Sequence, residues 1–323
     1  MDDVAGRSCP LRYRYGADAI AAAPLQAVST LYVVGGLYGN LQALDALEHM
    51  AQQEPGPVTV CFNGDFNWFN ADAAAFEAIN TRVLQHSATL GNVEAELGAD
   101  GDAAGCGCAY PDDVDNATVE RSNRIHARLK QVANGFPGLQ RQLGALPMFA
   151  RFLVGDCRMA VVHGDADSLA GWQFDVKNLR ASSHATPNAA SAGRAGLMHA
   201  LTRAGADVFA SSHTCQPALW SAGEGDAAVH IINNGAAGMP NFQGIQAGLI
   251  TRISVHPSPH RPVYGARRRQ VFIDALPVYY DAALWQQRFL GIWPEGSDAH
   301  LSYFARIQGN TRFTPADALC RAG

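Results

Sequence analysis

Leu31-Tyr-Val-Val-Gly-Gly-Leu-Tyr-Gly-Asn-Leu-Gln-Ala-Leu44 sets the frame of this chain. Four apolar residues, mostly of types that favour β-structure, run into a glycine-rich turn. The turn opens into a helix expected over about 40–53, in which Leu41, Leu44 and Leu47 recur every three residues as a buried stripe. Strand, turn and helix in this order mark the edge where open α/β folds place their chemistry. Between Gly35 and Asn40, however, the only ionisable side chain is that of Tyr38.

The same pattern repeats outward. Pro57-Val-Thr-Val-Cys-Phe62 is a β-rich run ending in Asn63-Gly-Asp65; a helix is expected across 71–86, and a third strand at 87–90 ends in Gly91-Asn92. This alternation predicts βαβ units and a largely parallel central sheet. Residues 95–115, rich in Gly, Ala and Asp, read as an inserted loop or lid that carries Cys106-Gly-Cys108. A helix across about 117–134 precedes two strands, 148–154 and 158–162, around a Gly155-Asp156 turn. The second of them ends in His163-Gly164-Asp165.

Residues 181–195 read as a surface loop, and a helix near 195–204 leads to a strand at 207–210 and then Ser211-Ser-His-Thr-Cys215. A strand at 229–233 runs into Asn234-Gly-Ala-Ala-Gly-Met-Pro240, and 246–256 with 263–273 form a late antiparallel pair. The tail from Tyr279 is helical and aromatic, with Trp285, Phe289 and Trp293. At the other end, 11–15 is a candidate strand, followed by an Ala-rich segment stopped by Pro24, as a peripheral extension. There is no internal repeat and no linker long enough to force a second domain, so 1–323 is expected to be one domain, with a core over about 31–275, an insertion over about 95–120 and a helical extension over about 279–323.

Composition narrows the function classes. Apolar residues make up 48% and charged residues 16% of the 323 positions, an ordinary globular balance. A net charge of −5 gives no reason to expect nucleic acid or an anionic membrane as partner. Arg267-Arg-Arg269, the only basic run, reads as a solvated hairpin face. No apolar run approaches the ~20 residues of a membrane span, and the acidic start lacks the regions of a signal peptide. Seven scattered cysteines argue for a reducing compartment, and the cytoplasm is expected.

Asp65, Asn92, His163 and His213 each follow a predicted strand and are brought by an α/β fold to the same edge. One carboxylate, one amide oxygen and two imidazoles suit a divalent or trivalent transition metal such as Mn, Fe or Zn. His126, His184, His230, His256 and His260 match no motif and read as surface or structural groups.

With these residues in order, the chain resembles the calcineurin-like metallophosphoesterases over about 31–275. That family carries Asp-x-His, Gly-Asp-x-x-Asp, Gly-Asn-His-Asp/Glu, His-Gly and Gly-His-x-His. The matching segments here are Gly36-Leu-Tyr38, Gly64-Asp65-Phe-Asn-Trp68, Gly91-Asn92-Val93-Glu94, His163-Gly164 and Ser212-His213-Thr-Cys215. The turn Asn234-Gly-Ala-Ala-Gly-Met-Pro240 resembles the closing turn of the single-domain bacterial members. The resemblance implies an αββα sandwich with mixed central sheets, a lid insertion and a helical tail.

It also implies where the chain departs from its family. The positions of one metal are Gly36, Tyr38, Asp65 and Cys215, so three of its ligands are gone; those of the other, Asp65, Asn92, His163 and His213, are all present. The family histidine that acts as general acid or oxyanion stabiliser is Val93, which can do neither. Glu94 is retained as a structural partner. Tyr38 is open to two readings, a phenolate ligand or proton donor on the one hand and packing over the turn on the other. Cys215 is either a thiolate ligand or a small filler. Cys106 and Cys108 either reach from the lid into the vacated half or are an ordinary reduced loop pair.

The expected function is hydrolysis, of a small-molecule phosphoester, by a water activated on the single retained metal; a second metal is doubtful. The alternatives are a catalytically inactive binding or scaffold protein of this fold, and a mononuclear metal enzyme acting on a non-phosphate substrate. The substrate itself has no readable signal.

Overall fold

The computed structural model of the protein describes residues 4–101, 103–183 and 189–320. The stretch 11–15 is not a strand. Pro10 sets the entry to a 3-10 turn, Leu11–Tyr13, and the Tyr13 ring turns inward and is buried. Helix α1 (Ala17–Ala22) and strand β1 (Leu25–Val28) follow. Next come β2 (Thr30–Val34), α2 (Leu41–Gln52), β3 (Val58–Asn63), α3 (Ala73–Val83) and β4 (Ser87–Thr89). β3 pairs in parallel with both β2 and β4, as the βαβ pattern predicts.

The irregular stretch expected from residue 95 is shorter. Helix α4 (Asn92–Leu97) occupies its start, and Glu94 in the first turn accepts from the free Gly91 N–H at 3.3 Å. Helix α5 (Asn116–Ala133) is capped by Asp115, which accepts from Thr118 N at 2.9 Å. Helix α6 (Pro137–Gly144), absent from the sequence reading, starts on the proline that suits a first turn. The antiparallel hairpin of β5 (Phe149–Val154) and β6 (Cys157–Val162) is as expected. Helices α7 (Val176–Ala181) and α8 (Ala189–Ala204) take up both ends of the stretch read as a loop, because the alanines from 189 onward favour a helix over a turn. His184 lies outside the described residues.

The chain continues through β7 (Val208–Ser211), β8 (Ala218–Ala222), β9 (Val229–Asn233), β10 (Gly248–Ser254), β11 (Tyr264–Arg268) and β12 (Val271–Val278). It closes with α9 (Ala282–Ile292), α10 (Asp298–Ile307) and β13 (Leu319–Cys320). The late pair needs correction: 263–273 holds a hairpin, turning at Arg269 with φ of +52°, and β10 pairs with β12. The basic run lies on the β11–β12 hairpin with Arg267 and Arg269 exposed, as expected of a solvated face, and Arg268 alone is buried. Arg268 is buried against Asp207 at 3.0 Å, and Arg267 lies over the Phe272 ring at 4.2 Å.

Among the described residues the strands form two mixed sheets, in the orders β11-β12-β10-β2-β3-β4 and β1-β5-β6-β7-β9-β8-β13. The sheets face each other: Leu31, Val33 and Cys61 of one pack on Phe152, Met159 and Val161 of the other. Because side chains alternate along a strand, Tyr32, Val34 and Phe62 point the opposite way, onto α2, α3, α5 and the C-terminal helices. Ala160, Val162 and Phe209 likewise meet Leu179, Leu197 and Leu201 on the outer face of the second sheet. The result is the αββα sandwich, and burial on both faces explains why the framing strand reads as an unbroken apolar run. Strands β1 and β13, outside the 31–275 stretch, belong to the second sheet. No helix among the described residues is long and apolar enough to cross a membrane.

Candidate metal centre

The carboxyl ends of β3 and β4 in one sheet meet those of β6 and β7 in the other, and each delivers one of the four residues picked out above. Glycine permits the approach. A Cβ on Gly91 would lie 2.2 Å from Asp65 Oδ1, and one on Gly64 would lie 2.7 Å from His163 Nδ1. Asp65 itself is held at φ +53°, a left-handed backbone that costs an L-residue of order 1–2 kcal/mol. Glu94 secures it: its Oε2 accepts from Asp65 N at 2.7 Å, and its Oε1 from Asn67 N at 3.2 Å. Burial and the Asp65 charge push the Glu94 carboxyl up to about 7. Its partners are backbone and amide groups of the loop, the structural part the sequence assigned to it.

Four polar atoms converge. His163 Nε2 stands 3.1 Å from Asn92 Oδ1, 3.2 Å from His213 Nδ1 and 3.4 Å from Asp65 Oδ2. Their outward atoms fix what they carry. His163 Nδ1 meets the Asn63 carbonyl at 2.9 Å, and His213 Nε2 meets the Cys108 carbonyl at 3.0 Å. A carbonyl has no proton to give, so both outward nitrogens donate and both inward nitrogens present lone pairs. Asn92 Nδ2 donates to the Cys106 carbonyl at 2.8 Å, which turns its oxygen inward as well. Four acceptors therefore face one another, an arrangement that needs a positive charge at its centre.

Without a metal, His163 is the group placed to take up a proton there. Burial opposes it, but the Asp65 carboxylate outweighs burial and raises the His163 pKa. Burial likewise disfavours the Asp65 charge, yet His163 and then His213 hold its carboxyl below the ordinary carboxylate range. His213 is pushed down to about 3 by burial and by His163, so it stays neutral. Neutral imidazoles, a carboxylate and an amide oxygen, all aimed inward, fit a borderline divalent cation. Among the described residues, Asp65, His163 and His213 have donor atoms all within 4.8 Å of one another, and no cysteine belongs to that group.

The other half is filled. A Cβ on Gly36 would lie 2.3 Å from Tyr38 Cζ, so the tyrosine ring occupies the space where a side chain at position 36 would go. Its hydroxyl is 2.6 Å from Cys215 Sγ, and its ring packs 5.7 Å from that of Phe69. Tyr38 and Cys215 are both in left-handed backbone, at φ +55° and +58°. Burial raises the pKa of each, so the pair is a neutral phenol against a neutral thiol. The turn beneath keeps its scaffold: Ala237 N and Gly238 N donate to the carbonyls of Gly35 and Gly36, and Asn40 Nδ2 donates to Gly238 O at 3.0 Å.

Cys106 and Cys108 do not reach into that half. Their carbonyls bind Asn92 and His213, and the Cys108 thiol is 3.4 Å from Asn92 Nδ2. The lid thus orients Asn92 and His213 chiefly through backbone oxygens, which no residue-type motif reveals. Trp172 Nε1 shares the Cys108 carbonyl at 3.1 Å, and the Trp172 ring packs 5.2 Å from that of His213. Arg306 of α10 donates to the Cys215 carbonyl at 2.9 Å and fastens the C-terminal helices over the site. The reading also missed Ser212, whose hydroxyl donates to the Asn63 carbonyl at 2.7 Å beside His163. Only its place next to His213 hinted at a role.

No family model matches this sequence, and no curated protein does. Solved structures do. The crystal structure of a metallophosphoesterase from Sphaerobacter thermophilus superposes with a TM-score of 0.53 at 15% identity, over 88% of this chain and 100% of that one. A hypothetical protein from Pyrococcus horikoshii OT3 gives 0.54 at 13% identity, over 85% and 98%. The chain has the metallophosphoesterase fold. Within that fold, this chain keeps four converging donors on one side and puts a tyrosine–cysteine contact on the other. Val93 lies between, its N–H donating to Asp65 Oδ1 at 3.2 Å and its side chain buried in the core.

Proposed function

We propose that this protein is a metal-dependent phosphoesterase built on one metal, held by Asp65, Asn92, His163 and His213. The observation that supports this most is the convergence of four acceptors with no proton of their own to share, each oriented by a second hydrogen bond. Such outer partners fix the tautomer and aim of a ligand. A structurally similar chain is a metallophosphoesterase. A cation bound there supplies Lewis acidity toward a phosphoryl oxygen and toward water.

The protein's own groups do the rest. Trp172 and the 106–108 segment pack against His213 and Asn92 and hold them in place. Tyr38 offers its hydroxyl at the cavity wall as a neutral donor, since burial keeps its proton on. Val93 offers no proton to a leaving alcohol, so turnover is expected to be fastest with esters of acidic alcohols, which leave without protonation.

Protein purified without added metal should hold about one equivalent of transition metal, and it should release phosphate from p-nitrophenyl phosphate after loading with Mn or Zn. Metal and proton compete for the His163 lone pair, so affinity should fall as the pH drops through the raised His163 pKa. A preparation that binds no metal under any loading condition and cleaves neither phosphomonoester nor phosphodiester would sink this reading. A second reading, a non-catalytic binding protein of this fold, is favoured by Val93 and by the Tyr38 plug. It predicts bound metal with no hydrolysis.

A further inference from the structure

A cavity of about 350 Å³ opens on the donor cluster. Asp65, Asn92 and His213 form one part of its lining. Its walls are aromatic: Trp68 meets Tyr303 edge-on at 6.4 Å, and Tyr110 meets Trp172 at 6.0 Å. A slot of this kind accepts a planar ring on its apolar faces. Besides Asp65, the charged group in the lining is Arg121.

Arg121 stands apart from the donor cluster. It rises from α5, and its Nε donates to Ser302 Oγ on α10 at 2.7 Å, while Nη2 donates to Thr118 Oγ1 at 3.0 Å. Two hydroxyls fix the direction of the guanidinium, and behind one of them Asp115 accepts from Thr118 Oγ1 at 2.7 Å, near enough for the Arg121 charge to help hold its carboxyl below the ordinary range. Among the described residues no carboxylate pairs with it, although its neighbour Arg124 on the same helix is paired with Asp298 at 2.7 Å. A half-buried, oriented guanidinium with no carboxylate in direct contact, in the wall of an aromatic cavity, is the complement of a carboxylate or second phosphate on a bound molecule.

We propose that Arg121, Ser302 and Thr118 form a second anion subsite, and that the substrate is a phosphoester of a planar aromatic alcohol bearing a further anionic group. The phosphoryl group would lie at the donor cluster, the ring between the aromatic walls and the second anion at Arg121. This rests on the phosphoesterase reading above.

The test uses two phosphonates that cannot be hydrolysed, phenylphosphonate and 4-phosphonobenzoate, titrated calorimetrically into the Mn-loaded protein. 4-Phosphonobenzoate should bind about tenfold more tightly, the value of one charge-assisted contact. Arg121→Gln should bring the ratio to about one by weakening only that ligand, and Arg121→Lys should restore part of it. A ratio near one in the wild type, a ratio unchanged by Arg121→Gln, or no binding of either compound would overturn the subsite. The two proposals fail separately. A retained, Arg121-dependent ratio without hydrolysis of any phosphoester sinks only the catalytic reading. Hydrolysis with no Arg121-dependent ratio sinks only the subsite.

Discussion

Asp65→Asn should empty the metal centre and lower kcat/KM for p-nitrophenyl phosphate by at least about 10³-fold, or about 4 kcal/mol of transition-state stabilisation. Asp65 is the sole anion among the four converging donors, so it supplies the only negative charge in direct reach of a dication there. Asparagine is the informative replacement. It tolerates the left-handed backbone that position 65 requires, and it preserves an oxygen for the Val93 N–H. It therefore removes charge without adding strain. Alanine should have the same effect on metal and activity while also costing about 1 kcal/mol of stability through the backbone. Elemental analysis and steady-state kinetics on the two variants check this. If Asp65→Asn keeps its metal and its rate, the centre has been put in the wrong place.

Gly36→Asp, which puts a carboxylate where the sequence resemblance expects a ligand, should destabilise the protein by about 3 kcal/mol. The new Cβ would meet Tyr38 Cζ at 2.3 Å and its hydroxyl oxygen at 2.5 Å, at a backbone φ of +24°. The ring has little room to retreat, since it is buried against Phe69 and in contact with Cys215. Removing it with Tyr38→His should leave mainly the backbone strain, so Gly36→Asp should then cost about 1 kcal/mol. Urea unfolding of the two single variants, the double variant and the wild type closes a double-mutant cycle with a coupling of about 2 kcal/mol. Additive effects would show that Tyr38 does not occupy the space of the missing ligand.

The two experiments treat the halves of the site as physically different, and the sequence already separates them. Asp65, Asn92, His163 and His213 form one set of candidate ligands, while Gly36, Tyr38 and Cys215 stand where the resemblance would expect a second set. Linear order suffices for this, because each residue follows a strand whose apolar run can be recognised and whose carboxyl end has one place to go. The same logic gave the parallel β2-β3-β4 unit and the β5-β6 hairpin. It failed where short polar helices carry little periodic signal, at α4 and α6, and at the single pairs β1-β5 and β13-β8, which depend on partners a hundred or more residues away.

What the residues could not announce is which atoms face inward and what fills the gaps. The tautomers of His163 and His213 are set by the carbonyls of Asn63 and Cys108, and a carbonyl exists at every position, so no residue type marks it. The lid cysteines stand out in sequence for their thiols, but the contacts that aim Asn92 and His213 are made by their backbone oxygens. Tyr38 and Cys215 were each open to two readings, and only packing joins them, across 177 positions of chain, into one contact that fills the emptied half. Sequence determined the fold and pointed to the four residues of one candidate half, because both follow from local pattern and chain order. Tertiary structure decided the orientation of every donor, the closure of the vacated half and the exposure of Arg121, because these depend on contacts between segments that the chain order keeps apart.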